Sequence, residues 1–193
     1  MEAIWDKNQE IIRMRILKED CTGLVIDMQE RLFPHMHQHQ YLLQRCLTLI
    51  EGMKVLKVPL MVTEQYPKGL GPTVEPISFT LKEISVIQKS AFSCCDEPLF
   101  SSELAKRNRK TWIICGIEAH VCVLQTVTDL ISLNHLPVIV ADATSSRNPV
   151  DKQIALERMK QEGAIVTTTE SILFELARIS GTEAFKSISK LVK

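Results

Sequence analysis

Ile113-Ile-Cys-Gly-Ile-Glu-Ala-His-Val-Cys-Val-Leu-Gln-Thr126 decides how this chain is read. A short apolar strand meets a glycine, turns tightly, and delivers Cys122 at the mouth of a new helix. A thiol in that position faces unpaired backbone N–H groups and the positive end of a helix dipole. Both favour thiolate over thiol, so the spacing marks Cys122 as a candidate nucleophile. A buried structural thiol is the competing reading, and it is common for cysteine.

The same alternation extends outward on both sides. Residues 1–18 carry Ile4, Ile11, Ile12, Ile16 and Leu17 among charges at helical spacing, as in an N-terminal helical arm. Strands are expected at Gly23-Leu-Val-Ile-Asp27, Pro59-Leu-Met-Val-Thr-Glu64, Ile84-Ser-Val-Ile-Gln88, Thr111-Trp-Ile-Ile-Cys115, Pro137-Val-Ile-Val-Ala141 and Gly163-Ala-Ile-Val-Thr167. Helices are expected over residues 41–57, 98–108, 120–133, 149–161, 171–179 and 182–192. Pro67, Gly69, Gly71, Pro72 and Pro76 make residues 65–79 a loop. Short apolar strands that alternate with longer helices mean βαβ units, hence a parallel sheet covered on both faces. Right-handed crossovers then lead to a doubly wound, three-layer αβα sandwich of α/β class. No internal repeat, low-complexity tract or linker interrupts the 193 residues, which read as one domain.

Composition narrows the function. Hydrophobic residues make up 45% and charged residues 24%, a globular balance. Lys+Arg and Asp+Glu number 23 each, so no global field draws the protein to nucleic acid or to an anionic membrane, and a small-molecule substrate is expected. No apolar run reaches bilayer length, and Met1-Glu-Ala-Ile-Trp-Asp-Lys-Asn has no signal-like apolar core. Of the six cysteines, Cys21 and Cys115 lie in apolar strands, Cys46 lies on a helix, and Cys94-Cys95 are vicinal and hard to bridge. Free thiols in a cytoplasmic setting are expected.

In an open parallel sheet the carboxyl ends of the strands share one edge, where ligands bind. Asp27 closes the first strand and Lys89 follows the third, so a carboxylate, an amine and the Cys122 thiol converge on that edge. An isolated aspartate there is most often a cap or turn residue, and an isolated lysine is most often solvated. Together the three are chemically coherent. A carboxylate can take the proton of an attacking thiol, and an ammonium favours both anions. Spacing alone leaves the choice open.

Asp27, Lys89 and Gly116-Ile-Glu-Ala-His-Val-Cys-Val together resemble the isochorismatase-like, or cysteine hydrolase, superfamily, over about residues 20–170. Thr63-Glu-Gln-Tyr-Pro-Lys-Gly-Leu-Gly71 and Ser90-Ala-Phe-Ser-Cys94 resemble its YcaC-like and isochorismatase-domain-containing branch. The resemblance implies a Rossmann-like, six-stranded, mostly parallel sheet of order 3-2-1-4-5-6 and an Asp27–Lys89–Cys122 triad. It implies a cis peptide between Ile117 and Glu118, which turns the Glu118 N–H to join that of Cys122 as an oxyanion hole. It also implies hydrolysis of a C–N bond in a small amide or carbamoyl compound through a thioester, with no cofactor, in a dimer or larger ring. The apolar residues Ile4, Trp5, Ile11 and Ile12 ask for a covering surface, which agrees with self-association.

The departures are specific. Nicotinamidases of the superfamily carry a metal-binding Asp-x-His set after the second strand, and residues 65–73 hold neither residue type. No metal is therefore expected, and His35-x-His37-x-His39 is read as a surface cluster. True isochorismatases lack the nucleophilic cysteine, so isochorismate is not the expected substrate. Phe33, Tyr66, Phe92 and His120 are candidate pocket residues, although aromatic residues near strand ends are often core and His120 could equally begin the helix. A non-catalytic oligomeric or redox-responsive binding protein that keeps the fold is the alternative. A dinucleotide binder is disfavoured, since no Gly-x-Gly-x-x-Gly follows the first strand.

Overall fold

Apolar runs without polar alternation need cover on both faces. Cys21–Ile26 (β1) and Thr111–Ile117 (β4) are such runs, and every residue in them is buried. The structure, a computed structural model, describes residues 15–193. The expected helical arm, with Ile4, Trp5, Ile11 and Ile12, falls mostly outside them. Ile16 is buried in the core and Lys18–Asp20 form a short 3-10 turn into β1.

After β1 come His39–Val55 (α1), Leu60–Gln65 (β2), the short helices Pro67–Leu70 (α2) and Glu75–Thr80 (α3), Val86–Lys89 (β3) and Pro98–Lys106 (α4). β4 is followed by a π-helical turn, Ala119–Val123, then Leu124–Ser132 (α5), Leu136–Ser145 (β5), Pro149–Gln161 (α6), Ile165–Thr167 (β6), Thr169–Ala177 (α7) and Glu183–Leu191 (α8). The strands form a six-stranded sheet of order β3-β2-β1-β4-β5-β6, and each neighbouring pair is parallel. The expected α/β sandwich and strand order are therefore present.

Alternation along each strand divides the core into two layers. Val25, Ile113, Cys115, Val138 and Val140 face Leu42, Cys46, Leu49, Ile50 and Met53 of α1, with Ile172, Leu173 and Leu176 of α7 and Ile188 of α8. Leu24, Ile26, Trp112, Ile114 and Ile139 face Phe100 and Leu104 of α4, Val127 and Leu130 of α5, and Ala155 and Met159 of α6. Each fully buried Leu, Ile or Val contributes about 1.5–3 kcal/mol, so both layers are needed to hold the sheet.

The differences from expectation have local causes. Pro67 and Pro76 occupy first-turn positions, where proline favours helix, and they start two short helices inside the expected loop. β3 begins at Val86, because Ile84 is held in a turn by its N–H to Leu81. β5 runs on through the polar Asp142-Ala-Thr-Ser145, because after a register shift Thr144 and Ser145 pair with Gly116 and Ile117.

The order reverses between β1 and β4, which lie side by side, and their carboxyl ends open the crevice where ligands bind in such sheets. Gly116 makes that approach possible. Its φ is 125°, and an added Cβ would run into the backbone of Ile26. Gly116→Ala should therefore lower stability by about 3 kcal/mol or more, combining a glycine-only conformation with a backbone overlap. A urea midpoint within experimental scatter of wild type would show that the two strand ends separate freely.

Candidate active site

Each principal residue stands at the carboxyl edge of a strand next to the reversal. Asp27 follows β1 with φ 52°, a left-handed conformation that aspartate tolerates better than most residues. Its N–H still bonds to the Thr63 carbonyl of β2, 3.2 Å away, so its main chain stays tied to the sheet. Lys89 is the last residue of β3, and the Tyr66 N–H bonds to its carbonyl at 2.8 Å. Cys122 lies within the π-helical turn after β4, where Val123 N–H reaches back to the Glu118 carbonyl at 3.2 Å. The π turn places Cys122 inside a helical turn rather than at a helix mouth. Such turns concentrate at functional sites. The Ile117–Glu118 peptide is cis.

Asp27 and Lys89 form an ion pair, Nζ to Oδ2, of 2.7 Å, with both side chains wholly inaccessible. The ammonium also donates to Gln65 Oε1 at 2.7 Å and to the carbonyls of Phe92 at 3.1 Å and Ala91 at 3.3 Å. The other carboxylate oxygen, Oδ1, accepts from Thr63 Oγ1 at 2.8 Å. Burial is the largest influence on the Lys89 pKa and lowers it, but the fields of Asp27, Cys122 and Cys94 and the hydrogen bond to Asp27 together outweigh it, and the value is raised. Lysine here is a fixed ammonium with no hydrogen left for a ligand.

Cys122 is 6% exposed and lies within the electrostatic reach of both. Its pKa moves opposite to the expectation from a helix mouth. Burial raises it most, the Asp27 carboxylate raises it further, and Lys89 opposes without prevailing. These influences favour a thiol over a thiolate, set beside a carboxylate that can take its proton. Burial also pushes Cys94 up to about 11 and Cys95 up to about 12. All six cysteines are free, and Cys95 is the most accessible.

The remaining expected residues are dispersed. Glu118 is buried, and its Oε2 accepts from Arg147 N at 3.1 Å and Arg147 Nε at 3.0 Å. His120 Nδ1 lies 2.9 Å from Ser146 Oγ, which ties the π turn to the end of β5. Phe33 is buried against the α1 layer, edge-on to His39, whereas Cys122 belongs to the opposite layer. Tyr66 and Phe92 are 57% and 54% exposed, and each neighbours a group that bonds to Lys89. A surface hollow of about 690 Å³ lies over Gln38–Tyr41, two more flank β3, and another lies between the end of α1 and residues 79–84; Asp27, Lys89 and Cys122 line none of them. Space alone performs no chemistry. The thiol, carboxylate and ammonium converge elsewhere.

Sequence reading missed Thr63, Gln65 and Gln29. The first two end β2 at the same edge that singled out Asp27, so the same rule applied to Thr63-Glu-Gln65 would have found them. Gln29 had no signal, since its part depends on a long-range contact. Among the described residues no helix is long and apolar enough to cross a membrane, and no three His, Cys, Asp or Glu side chains are grouped to hold a metal ion.

A parallel three-layer sandwich with these groups at its reversal point has the form of an isochorismatase-like hydrolase. A family model described as the isochorismatase domain matches residues 22–171. Isochorismatase family protein 1B of Dictyostelium discoideum is 37% identical over 183 residues, which cover 93% of this chain and 89% of that protein. The MAR1 ribonuclease structure from Caenorhabditis elegans is 38% identical with a TM-score of 0.83, covering 92% of each chain. The YcaC gene product from Escherichia coli, described as an octameric hydrolase of unknown specificity, shares the fold. Its TM-score is 0.87 at 22% identity, over 92% of this chain and 90% of that one. The chain belongs to the isochorismatase domain family.

Proposed function

We propose that the protein is a cofactor-independent cysteine hydrolase that cleaves a C–N bond of a small amide or carbamoyl compound. One observation carries this reading: a wholly buried Asp27–Lys89 ion pair, 2.7 Å long, set beside a buried thiol. An ion pair buried this deeply is poor stabilisation, since desolvation offsets most of the attraction, and this favours a chemical use. In the proposed sequence Cys122 Sγ bonds to the carbonyl carbon while its proton passes to Asp27. The N–H groups of Glu118 and Cys122 receive the oxyanion. The C–N bond then breaks as Asp27 returns the proton to the leaving amine. Water then adds to the thioester carbonyl as Asp27 takes its proton, the C–S bond breaks to release the acid, and Asp27 returns the proton to the Cys122 thiolate. Lys89 holds the carboxylate in place throughout, and Tyr66, Phe92 and His120 are the candidate substrate contacts, whereas Phe33, buried in the opposite layer, is assigned to the core. The octameric E. coli relative supports self-association, and six free thiols support a reducing, cytoplasmic setting.

An activated ester or anilide should give a burst of product equal to the protein concentration and an acyl adduct on the Cys122 peptide. Absence of the adduct, or its appearance on Cys94 or Cys95 instead, removes the nucleophile and leaves a non-catalytic binding protein as the better account. No step uses a metal, so dialysis against a strong chelator should leave the rate unchanged. Loss of activity restored by one added metal would overturn the scheme.

The description of the C. elegans relative as a ribonuclease favours a second reading, phosphodiester cleavage. Against it stand the even charge balance of 23 against 23 and an ammonium fully engaged by protein oxygens. RNA fragmentation that Asp27→Asn and Cys122→Ala both abolish would replace the amide reading.

A further inference from the structure

We propose that Gln65 is a positioning residue that holds the Lys89 ammonium opposite Asp27, and that Gln29 clamps Gln65 in the orientation this requires. The inference rests on the hydrolase reading for its catalytic meaning, but its geometry stands apart from it.

The ammonium has two short contacts of equal length, to Asp27 Oδ2 and to Gln65 Oε1, both 2.7 Å. One partner is charged and the other neutral. The amide oxygen therefore draws the ammonium away from a one-sided fit on the carboxylate without adding a second negative charge to the site. Its orientation is set, since Gln65 Nε2 donates to the Ser90 carbonyl at 2.8 Å. A flipped amide would aim NH₂ at an ammonium and lose both bonds.

The main chain of Gln65 is gripped in turn. Gln29 is fully buried, and its Oε1 accepts from Gln65 N at 2.8 Å. Its Nε2 donates to the carbonyls of Gln65 at 3.0 Å and Gly71 at 2.6 Å. Gln29 thus acts as a one-residue strand against the end of β2. It also stands two residues beyond Asp27, in a turn closed by Gln29 N to the Asp27 carbonyl at 2.7 Å. One short segment after β1 therefore presents the carboxylate and, through Gln29, orients the amide that holds the ammonium. Thr63 on β2 secures the remaining carboxylate oxygen. The distance between acid and amine is controlled from both partners. Lys89 is left with an electrostatic task and no proton to deliver.

The merely structural alternative is that Gln65 only ties β2 to the segment after β3. Protein labelled with ¹⁵N-lysine separates the two. In the wild type the Lys89 ammonium should give a slowly exchanging ¹H–¹⁵N resonance at neutral pH. Gln65→Met removes the acceptor and should speed exchange of that resonance about tenfold or more, the usual worth of a hydrogen bond to a charged group. Gln65→Glu keeps an acceptor and should retain the resonance. Its added charge should shift alkylation of Cys122, read on the Cys122 peptide, to higher pH. An unchanged Lys89 resonance in Gln65→Met overturns the proposal. If that variant does not fold, loss of the resonance in Gln65→Glu, or an unchanged alkylation profile, overturns it. Failure of the hydrolase reading would show separately, as wild-type Cys122 that no ester or amide acylates.

Discussion

Lys89→Met should lower stability by about 3–5 kcal/mol and reduce turnover at least a hundredfold. Methionine nearly matches the lysine stem in volume, so packing is little changed, but Asp27 is then a carboxylate at zero exposure with its counter-charge gone. Breaking a buried pair from one side costs that much because the surviving ion keeps its desolvation penalty. Asp27→Asn added to Lys89→Met should recover part of the loss, since neither charge then remains. Urea denaturation of the single and double variants measures both effects, and a Lys89→Met midpoint equal to wild type would show that water reaches the pair. The pH dependence has a definite sign. The folded pKa of Lys89 lies above its ordinary 10.5, so its stabilising share is complete below 10.5 and fades as pH rises through the folded value. The gap between the wild-type and Lys89→Met midpoints should therefore close only in that alkaline range.

Asp27→Asn alone should produce effects of opposite sign on two rates. Hydrolysis should fall by about 10²–10⁴, the usual worth of a positioned general base. Alkylation of Cys122 by iodoacetamide at neutral pH should become faster. Next to burial, the Asp27 charge is what most raises the Cys122 pKa, and its removal leaves Lys89 to favour the thiolate. A one-unit drop in pKa gives about tenfold more thiolate below the transition. The measurement must resolve peptides, because Cys95 is more accessible and will also label. Alkylation that slows in step with hydrolysis would show that Asp27 activates the thiol toward every electrophile, and that its charge does not govern the resting pKa.

The π turn, the fixed ammonium and the raised Cys122 pKa have a common origin in long-range contacts. From the residues alone, Gly116-Ile-Glu-Ala-His-Val-Cys reads as strand, turn and α-helix, and the thiol as a helix-mouth thiolate. The first turn instead closes on the Glu118 carbonyl as a π turn, and its residues are tethered to a segment distant in sequence by the Arg147 bonds to Glu118 and the Ser146 contact with His120. The thiol pKa is decided by how much water the second core layer excludes and by where Asp27 lies, neither of which is a local property.

Hydrophobic periodicity determined the class of fold, because apolar runs flanked by amphipathic helices have few stable solutions other than a covered parallel sheet. Strand ends were legible too, since Asp27, Lys89 and the Cys122 turn interrupt those runs with polar or reactive residues at the edge where strands open. Resemblance, rather than periodicity, suggested the strand order and the cis peptide. Tertiary structure alone decided which side chains meet. The Gln29 grip on Gln65, the Thr63 bond to Asp27 and the saturation of the Lys89 ammonium each join residues from different strands or loops. Hydrogen-bond geometry is short-ranged and directional, so it exists only once the sheet has brought those ends within 3 Å of one another.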